Sequence, residues 1–160
     1  TADGRGATKY AIMAGYGQAH AVTEYGKAAG TESGLKAAIA KALADAKVSA
    51  SDIDAIYGFG NGVADLDHIE KNVSSDDFAN VHVHNVRQFT GDARAASANL
   101  SLAHAALTLH GELAGSEKAF AFEGGNVSEI TADSTAYKTV LITAASEGGS
   151  FTAVVLKKAN

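Results

Sequence analysis

The chain has 160 residues, 46% of them hydrophobic and 19% charged, with 18 acidic side chains against 13 basic ones and a formal net charge of −5. That is enough chain for one domain with a buried core. The acidic balance argues against a nucleic-acid partner, which needs a basic stripe. No apolar run approaches the roughly 20 residues of a membrane span, and with no Cys in the chain disulfides, thiolate ligands and a cysteine nucleophile are excluded. These features suit a cytoplasmic protein.

The sequence starts at Thr1, and its one Met, Met13, lies inside an apolar run. No signal peptide is visible, so the chain reads as a processed product, a trimmed piece or an incompletely recorded sequence. A free Thr1 suits an N-terminal nucleophile, but nothing beside it supplies a partner, and a trimmed end is the plainer reading. Lys9–Gly17 is an apolar run closed by glycines and predicts a buried strand. Gln18–Ser33 reads as a loop. A helix is predicted from Thr31 or Ser33, both good N-caps, with Leu35, Ile39 and Leu43 at i+4 spacing. Ala38, Ala42 and Ala46 widen that face, while Lys36, Lys41 and Asp45 make a solvated one. Ser49 and Asp52 are spaced as cap residues of a short turn.

The centre of the chain is Asp52–Glu70: a short strand, Ile53–Tyr57, then the glycine-spaced turn Gly58-Phe59-Gly60-Asn61-Gly62, then a helix start bearing Asp65, Asp67 and Glu70. Glycines between a strand and a helix suit the floor of a site, because they permit positive φ and close backbone approach, though a plain connection looks the same. The three acids suit a paired-carboxylate site. In a first helical turn they read more simply as capping and dipole groups. Lys71–Asn80 reads as a polar surface loop. Val81–Val86 alternates as a strand and sets His82 and His84 on one side. Without an evident third ligand the pair reads as polar strand residues, and no metal is expected.

Gln88–Ala98 is a small-residue turn leading into a helix to about Leu113, with Leu100, Ala103 and Leu107 as its buried face. Lys118–Phe122 is strand-like, and Ser128–Ala136 is a polar loop. Lys138–Ala144 and Phe151–Leu156 are strands joined through Ser146-Glu147-Gly148-Gly149, a short glycine connection that predicts an antiparallel hairpin. Gly148 and Gly149 either line a ligand pocket or simply turn the chain. Strands alternating with helices, then a hairpin, imply an α/β layer with a mixed sheet in one domain spanning residues 1–160.

Several motifs, in this order, resemble the C-terminal half of a β-ketoacyl synthase, a condensing enzyme of the thiolase fold. Arg5–Gly17 (RGATKYAIMAGYG) is similar to the first strand of that half. Gly34–Gly62 resembles the helix and strand leading to the family's Ala-His-Gly-Thr turn, and Asp67–Glu70 (DHIE) resembles the Asp-x-x-Glu after it. Val86–Ser97 (VRQFTGDARAAS) resembles the Lys-Ser-x-x-Gly-His turn, and Val140–Ala159 the closing hairpin around Gly-Phe-Gly-Gly. The resemblance implies a thiolase-like half: a mixed five-stranded sheet covered by helices and ending in an antiparallel hairpin.

The departures from those motifs carry the functional expectation. In the family two histidines stabilise the enolate formed when malonyl decarboxylates. The resemblance sets the first at Phe59 and the second at Asp92, and neither can donate an N–H to an oxyanion. The family lysine falls at Arg87, its acidic partner at Ser101, and the gating Phe at Glu147; the nucleophilic Cys belongs to the other half. Gly60, Asn61, Gly91, Gly148 and Gly149 would line the binding site without catalysing. This pattern resembles the chain-length factor, the degenerate partner of the ketosynthase in type II polyketide and aryl-polyene systems. It implies a heterodimer with a ketosynthase subunit or a separate N-terminal half, an acyl carrier protein as second partner, and no cofactor. A bare apolar sheet face is expected where the other half would sit. Two other readings stay open: an acyltransferase with relocated groups at His82, His84 or Asp92, and a binding protein that kept the fold without acyl chemistry.

Overall fold

The computed structural model describes residues 3–22, 32–60, 62–79, 81–113, 118–123, 126–131, 133–146 and 148–159. Thr1, Asn61 and Glu147, and the candidate N-cap Thr31, lie outside them. The elements run β1 (Ala11–His20), α1 (Glu32–Ala46), β2 (Ala55–Tyr57), α2 (Ala64–Asp77), β3 (His82–His84), α3 (Arg87–Thr90), α4 (Ser97–His110), β4 (Lys118–Glu123), β5 (Asn126–Thr131), β6 (Thr139–Ser146) and β7 (Ser150–Lys158). Five strands form one sheet in the order β1-β7-β6-β2-β3. β2 lies parallel to both β3 and β6, while β7 is antiparallel to β6 and to β1, so the sheet is mixed, as expected. β4 and β5 form a separate antiparallel pair.

Alternation in the central strands divides the core. Ile56, Leu141, Phe151 and Val155 face α1 and α2, meeting Leu35, Ile39, Leu66, Ile69 and Val73. Ala55, Tyr57, Val140, Ile142 and Leu156 face the other way, against Ala105 and Leu109 of α4. Each large side chain buried there is worth about 1.5–3 kcal/mol. Gly15 and Gly17 bring β1 directly under α1: a Cβ at Gly17 would overlap the Ala38 carbonyl, and one at Gly15 the Ala42 carbonyl. After α1 the predicted cap holds, with Asp52 Oδ2 accepting from Ser49 N (2.8 Å) and Ser49 Oγ (2.7 Å).

Five expectations need correction. Gln18–His20 is strand rather than loop, because it pairs through to His20↔Ser150. Lys71–Asp77 is helix, since Leu66, Ile69 and Val73 put one apolar stripe on α2 over the sheet. Asn126–Thr131 is strand, and only Ser134–Ala136 makes a 3-10 turn. The buried face of α4 is Ser97, Ser101, Ala105, Thr108 and Leu109, whereas Leu100 and Ala103 are exposed; small and hydroxylated residues let that helix sit close to the sheet. The face expected to be bare is thus covered by α4. What remains exposed on the described surface is narrower and includes Met13, Tyr16, Phe89 and Leu100.

Candidate functional site

The site is built at the carboxyl ends of the parallel strands β2 and β3. β2 is flanked on both sides, by β3 and by β6, so its three residues are all buried. The chain leaves β2 as Gly58-Phe59-Gly60, and the turn is held from below by one side chain. Glu70, on the buried face of α2, accepts the Phe59 N–H at 2.8 Å on Oε1 and the Gly60 N–H at 2.9 Å on Oε2. Thr143 Oγ1 of β6 donates to Oε1 at 2.9 Å. Gly58 N donates to the His84 carbonyl at 2.8 Å, and a Cβ on Gly58 would strike the Glu70 carboxyl.

Burial pushes the Glu70 carboxyl up, and the Phe59 N–H, Thr143 and the Gly60 N–H oppose it in that order. Glu70 is therefore neither a capping nor a dipole group, as the sequence suggested, but the buried anchor of the turn. Asp67 does serve the helix entry, accepting from Gly62 N at 3.1 Å, and Asp65 is exposed. The three acids do not form a paired-carboxylate site. Glu70 has a signal in the sequence: it sits i+4 from Leu66 and three before Val73, within the core stripe of α2, where an acid needs a buried reason.

The second arm follows β3. Asn85 ties the two turns together, donating Nδ2–H to the Gly60 carbonyl at 2.9 Å and accepting from Arg87 N at 3.1 Å. After α3 the chain reverses at Gly91, whose φ of 71° is unstrained only for glycine. Asp92 Oδ1 then accepts from Arg94 N at 2.9 Å and Ser97 Oγ at 3.1 Å, and lies 3.8 Å from Arg87 Nη1. The Arg94 N–H, the Ser97 hydroxyl and the nearby arginines hold the Asp92 carboxyl below its usual value. The structure pairs Arg87 with Asp92 across the turn, while Ser101 is buried in α4.

The side chain of Phe59 turns inward. It is 3% exposed and belongs to the apolar cluster under α1 and α2. His82 and His84 share a strand but not a setting. His82 is exposed; His84 is buried, with Nε2 3.0 Å from Tyr137 Oη and its ring stacked on Tyr57 at 5.0 Å between centroids. Among the described residues no group of three or more His, Cys, Asp or Glu stands together as a metal site. Gly148 and Gly149 turn the β6–β7 hairpin with φ of 98° and 84°. The Gly149 carbonyl accepts from Ala21 N at 2.8 Å, which ties the end of β1 to the hairpin.

Chemically this frame is short of donors. The Phe59 and Gly60 N–H groups, which could serve an oxyanion, are already given to Glu70. The second arm carries an ion pair, Arg87 with Asp92 at 3.8 Å, and its carboxylate repels an enolate.

Residues 10–116 match the family model of the β-ketoacyl synthase, C-terminal domain. The chain belongs to that family. No curated protein matches it. Among solved structures it is similar to the ishigamide ketosynthase/chain length factor, with a TM-score of 0.77 and 21% identity over 99% of this chain and 40% of that one. It is also similar to a structure of a type II polyketide synthase acyl-carrier protein in complex with its ketosynthase, at 0.76 and 21% over 99% of this chain and 41% of that one. A β-ketoacyl synthase from Burkholderia phymatum superposes at 0.74 with 18% identity, covering 99% of this chain and 40% of that one. These likenesses establish the thiolase-like ketosynthase fold for the sheet and helices described above. The chain spans about two fifths of the length of these three structures. No helix among the described residues is long and apolar enough to cross a membrane.

Proposed function

We propose that this chain is the C-terminal half of a non-catalytic, chain-length-factor-type subunit of a β-ketoacyl-acyl-carrier-protein synthase complex. It shapes the acyl tunnel of a partner ketosynthase in cytoplasmic polyketide or fatty-acid-like biosynthesis. The observation that carries this reading is the state of Asp92. At the position the resemblance gives to an enolate-stabilising histidine stands a carboxylate committed to Arg94 N, Ser97 and Arg87. Phe59, at the other histidine position, is packed into the core. With both imidazoles replaced, neither histidine position offers an N–H to the enolate, and losing even one oxyanion donor costs about 10²–10³ in rate.

Gly60, Gly91, Gly148 and Gly149 then act as backbone lining, together with Asn61. The partners are a ketosynthase subunit, or a separately encoded N-terminal half, and the acyl carrier protein that delivers the chain. The exposed apolar residues Met13, Tyr16, Phe89 and Leu100 mark where such a partner would gain most from contact. The test is reconstitution with a candidate ketosynthase and its loaded carrier. Alone, this chain should neither decarboxylate malonyl-carrier protein nor condense it. In complex, changing the partner's histidines should abolish product, whereas Asp92→Asn here should leave the rate within a small factor. A collapse in rate for a well-folded Asp92→Asn complex would make Asp92 catalytic and end the proposal.

A further inference from the structure

The edge of the sheet at β1 is closed by a helix. Among the described residues β1 is an outer strand, in the order β1-β7-β6-β2-β3, and it has ten residues where the strand at the other edge, β3, has three. A long outer strand presents a row of backbone N–H and C=O groups with which a further strand can pair. Ile12, Met13 and Tyr16 are exposed along β1 and would add apolar contact to such a pairing.

Two features of the chain oppose it. The register slips between Met13 and Gly15, a bulge that interrupts the row of backbone groups. Beyond the bulge, α1 reaches round the edge. Gly15 and Gly17 let the helix lie against the strand, and a Cβ at Gly17 would stand 2.9 Å from Lys41 Cβ. Lys41 and Asp45, one helical turn apart, then meet the backbone of β1. Asp45 Oδ2 accepts from Tyr16 N at 3.0 Å, and Lys41 Nζ donates to the Gln18 carbonyl at 2.9 Å. Tyr16 and Gln18 are alternate residues, so both turn their N–H and C=O away from β7. In an antiparallel pair each such residue exchanges two bonds with the residue opposite. The helix takes one of the two at Tyr16 and one of the two at Gln18. Tyr16 Oη also donates to Gln18 Oε1 at 3.2 Å, which ties the two side chains together on the face away from α1.

We infer that Lys41 and Asp45 are a guard on the β1 edge, and that the strand they exclude is β1 of a second copy of this chain. An antiparallel pair of identical strands is self-complementary, and it would join the sheets of two copies into one. A partner can still lie on the Tyr16 ring; a strand alongside is what the guard denies. The inference does not depend on what the turns at Phe59 and Asp92 do.

The test compares the chain with its Lys41→Ala/Asp45→Ala variant by sedimentation velocity and residue-resolved amide hydrogen exchange over a range of concentrations. Both side chains are exposed and alanine suits a helix, so the variant should fold, which circular dichroism checks. It should self-associate at least about tenfold more tightly than the native chain, because pairing no longer breaks the guard bonds of each copy. At low concentration its Tyr16 amide should exchange faster than in the native chain, since Asp45 no longer holds it. At high concentration the Tyr16 and Gln18 amides should both become protected. Adding Gln18→Pro removes an outward N–H and should undo the association. Any of three results overturns the inference: a folded double variant that sediments as the native chain does at every concentration, association in which Tyr16 and Gln18 gain no protection, or association that survives Gln18→Pro.

Discussion

Glu70→Ala should collapse the Gly58–Gly60 turn. In the native protein the two carboxylate oxygens take three buried donors: the N–H groups of Phe59 and Gly60 and the hydroxyl of Thr143. Alanine leaves all three without an acceptor. Each stranded donor costs about 1–3 kcal/mol, and the truncation recovers the desolvation of the charge, so a net loss of about 3–5 kcal/mol follows. For a domain of this size that lowers the melting temperature by roughly 6–20 °C. Glu70→Gln is the finer probe. Its carbonyl can replace Oε1 and keep Phe59 and Thr143, but its amide then faces the Gly60 N–H. The cost should be about 1–3 kcal/mol, and amide hydrogen exchange should speed up at Gly60 more than at Phe59. Urea denaturation and residue-resolved exchange measure both effects. If Glu70→Ala unfolds at the native midpoint with both amides still protected, the carboxylate is not what holds the turn.

The pH dependence has a definite sign. Burial raises the Glu70 carboxyl above its ordinary 4.5, so the folded state takes up the proton first. The stability linked to Glu70 is then fully present below that value and lost as pH rises through the folded pKa; Glu70→Gln should flatten this part of the stability–pH curve. Arg87→Ala should change stability by less than about 1 kcal/mol, because Asp92 is half exposed. Asp92 should still titrate below its ordinary value in that variant, since Arg94 N and Ser97 outweigh the guanidinium; a return to the ordinary value on NMR titration contradicts this. Gly17→Ala should cost about 1–3 kcal/mol or prevent folding, because its methyl group overlaps the α1 backbone; a native melting temperature would show that α1 can move aside.

What the sequence disclosed follows from how local each cause is. The face of α1 is written in large aliphatics, Leu35, Ile39 and Leu43, and the cap at Ser49 and Asp52 needs only four consecutive residues. The hairpin of β6 and β7 is equally local. A hydrophobic period misses the face of α4 because, apart from Leu109, its buried side is Ser97, Ser101, Ala105 and Thr108, while Leu100 faces out. Of the acids after the turn only Glu70 falls in the stripe of Leu66 and Val73, and the fold buries it while Asp65 stays exposed. His84 required Tyr137, 53 residues away, to explain its burial. The family motifs pointed to the turns after β2 and β3, but they could not show that the Phe59 ring turns into the core or that Arg87 and Asp92 pair with each other.

That inward turn bears on whether the site can be restored. The frame is held by groups other than the side chains of Phe59 and Asp92: Glu70 and Asn85 grip the backbone of Phe59 and Gly60 whatever side chain residue 59 carries. It therefore tempts one to write the histidines back. At position 59, however, the side chain occupies a 3%-exposed place among apolar neighbours. Phe59→His gives up the packing of a phenyl ring, worth about 3–5 kcal/mol on full truncation, and buries at least one ring nitrogen without a partner at about 1–3 kcal/mol. Part of the packing survives in the imidazole, so a loss of about 3 kcal/mol is expected. Asp92→His meanwhile removes the acceptor of Arg94 N and Ser97 and leaves Arg87 beside a second potential cation. The double variant, assayed in complex with a candidate ketosynthase and monitored by circular dichroism, should melt earlier and show no new malonyl-carrier decarboxylation by this chain. To assign any turnover, the partner's own histidines are replaced. Decarboxylation at native stability under those conditions would mean that residue 59 can face the site, and that imidazoles at 59 and 92 are enough to make this half active.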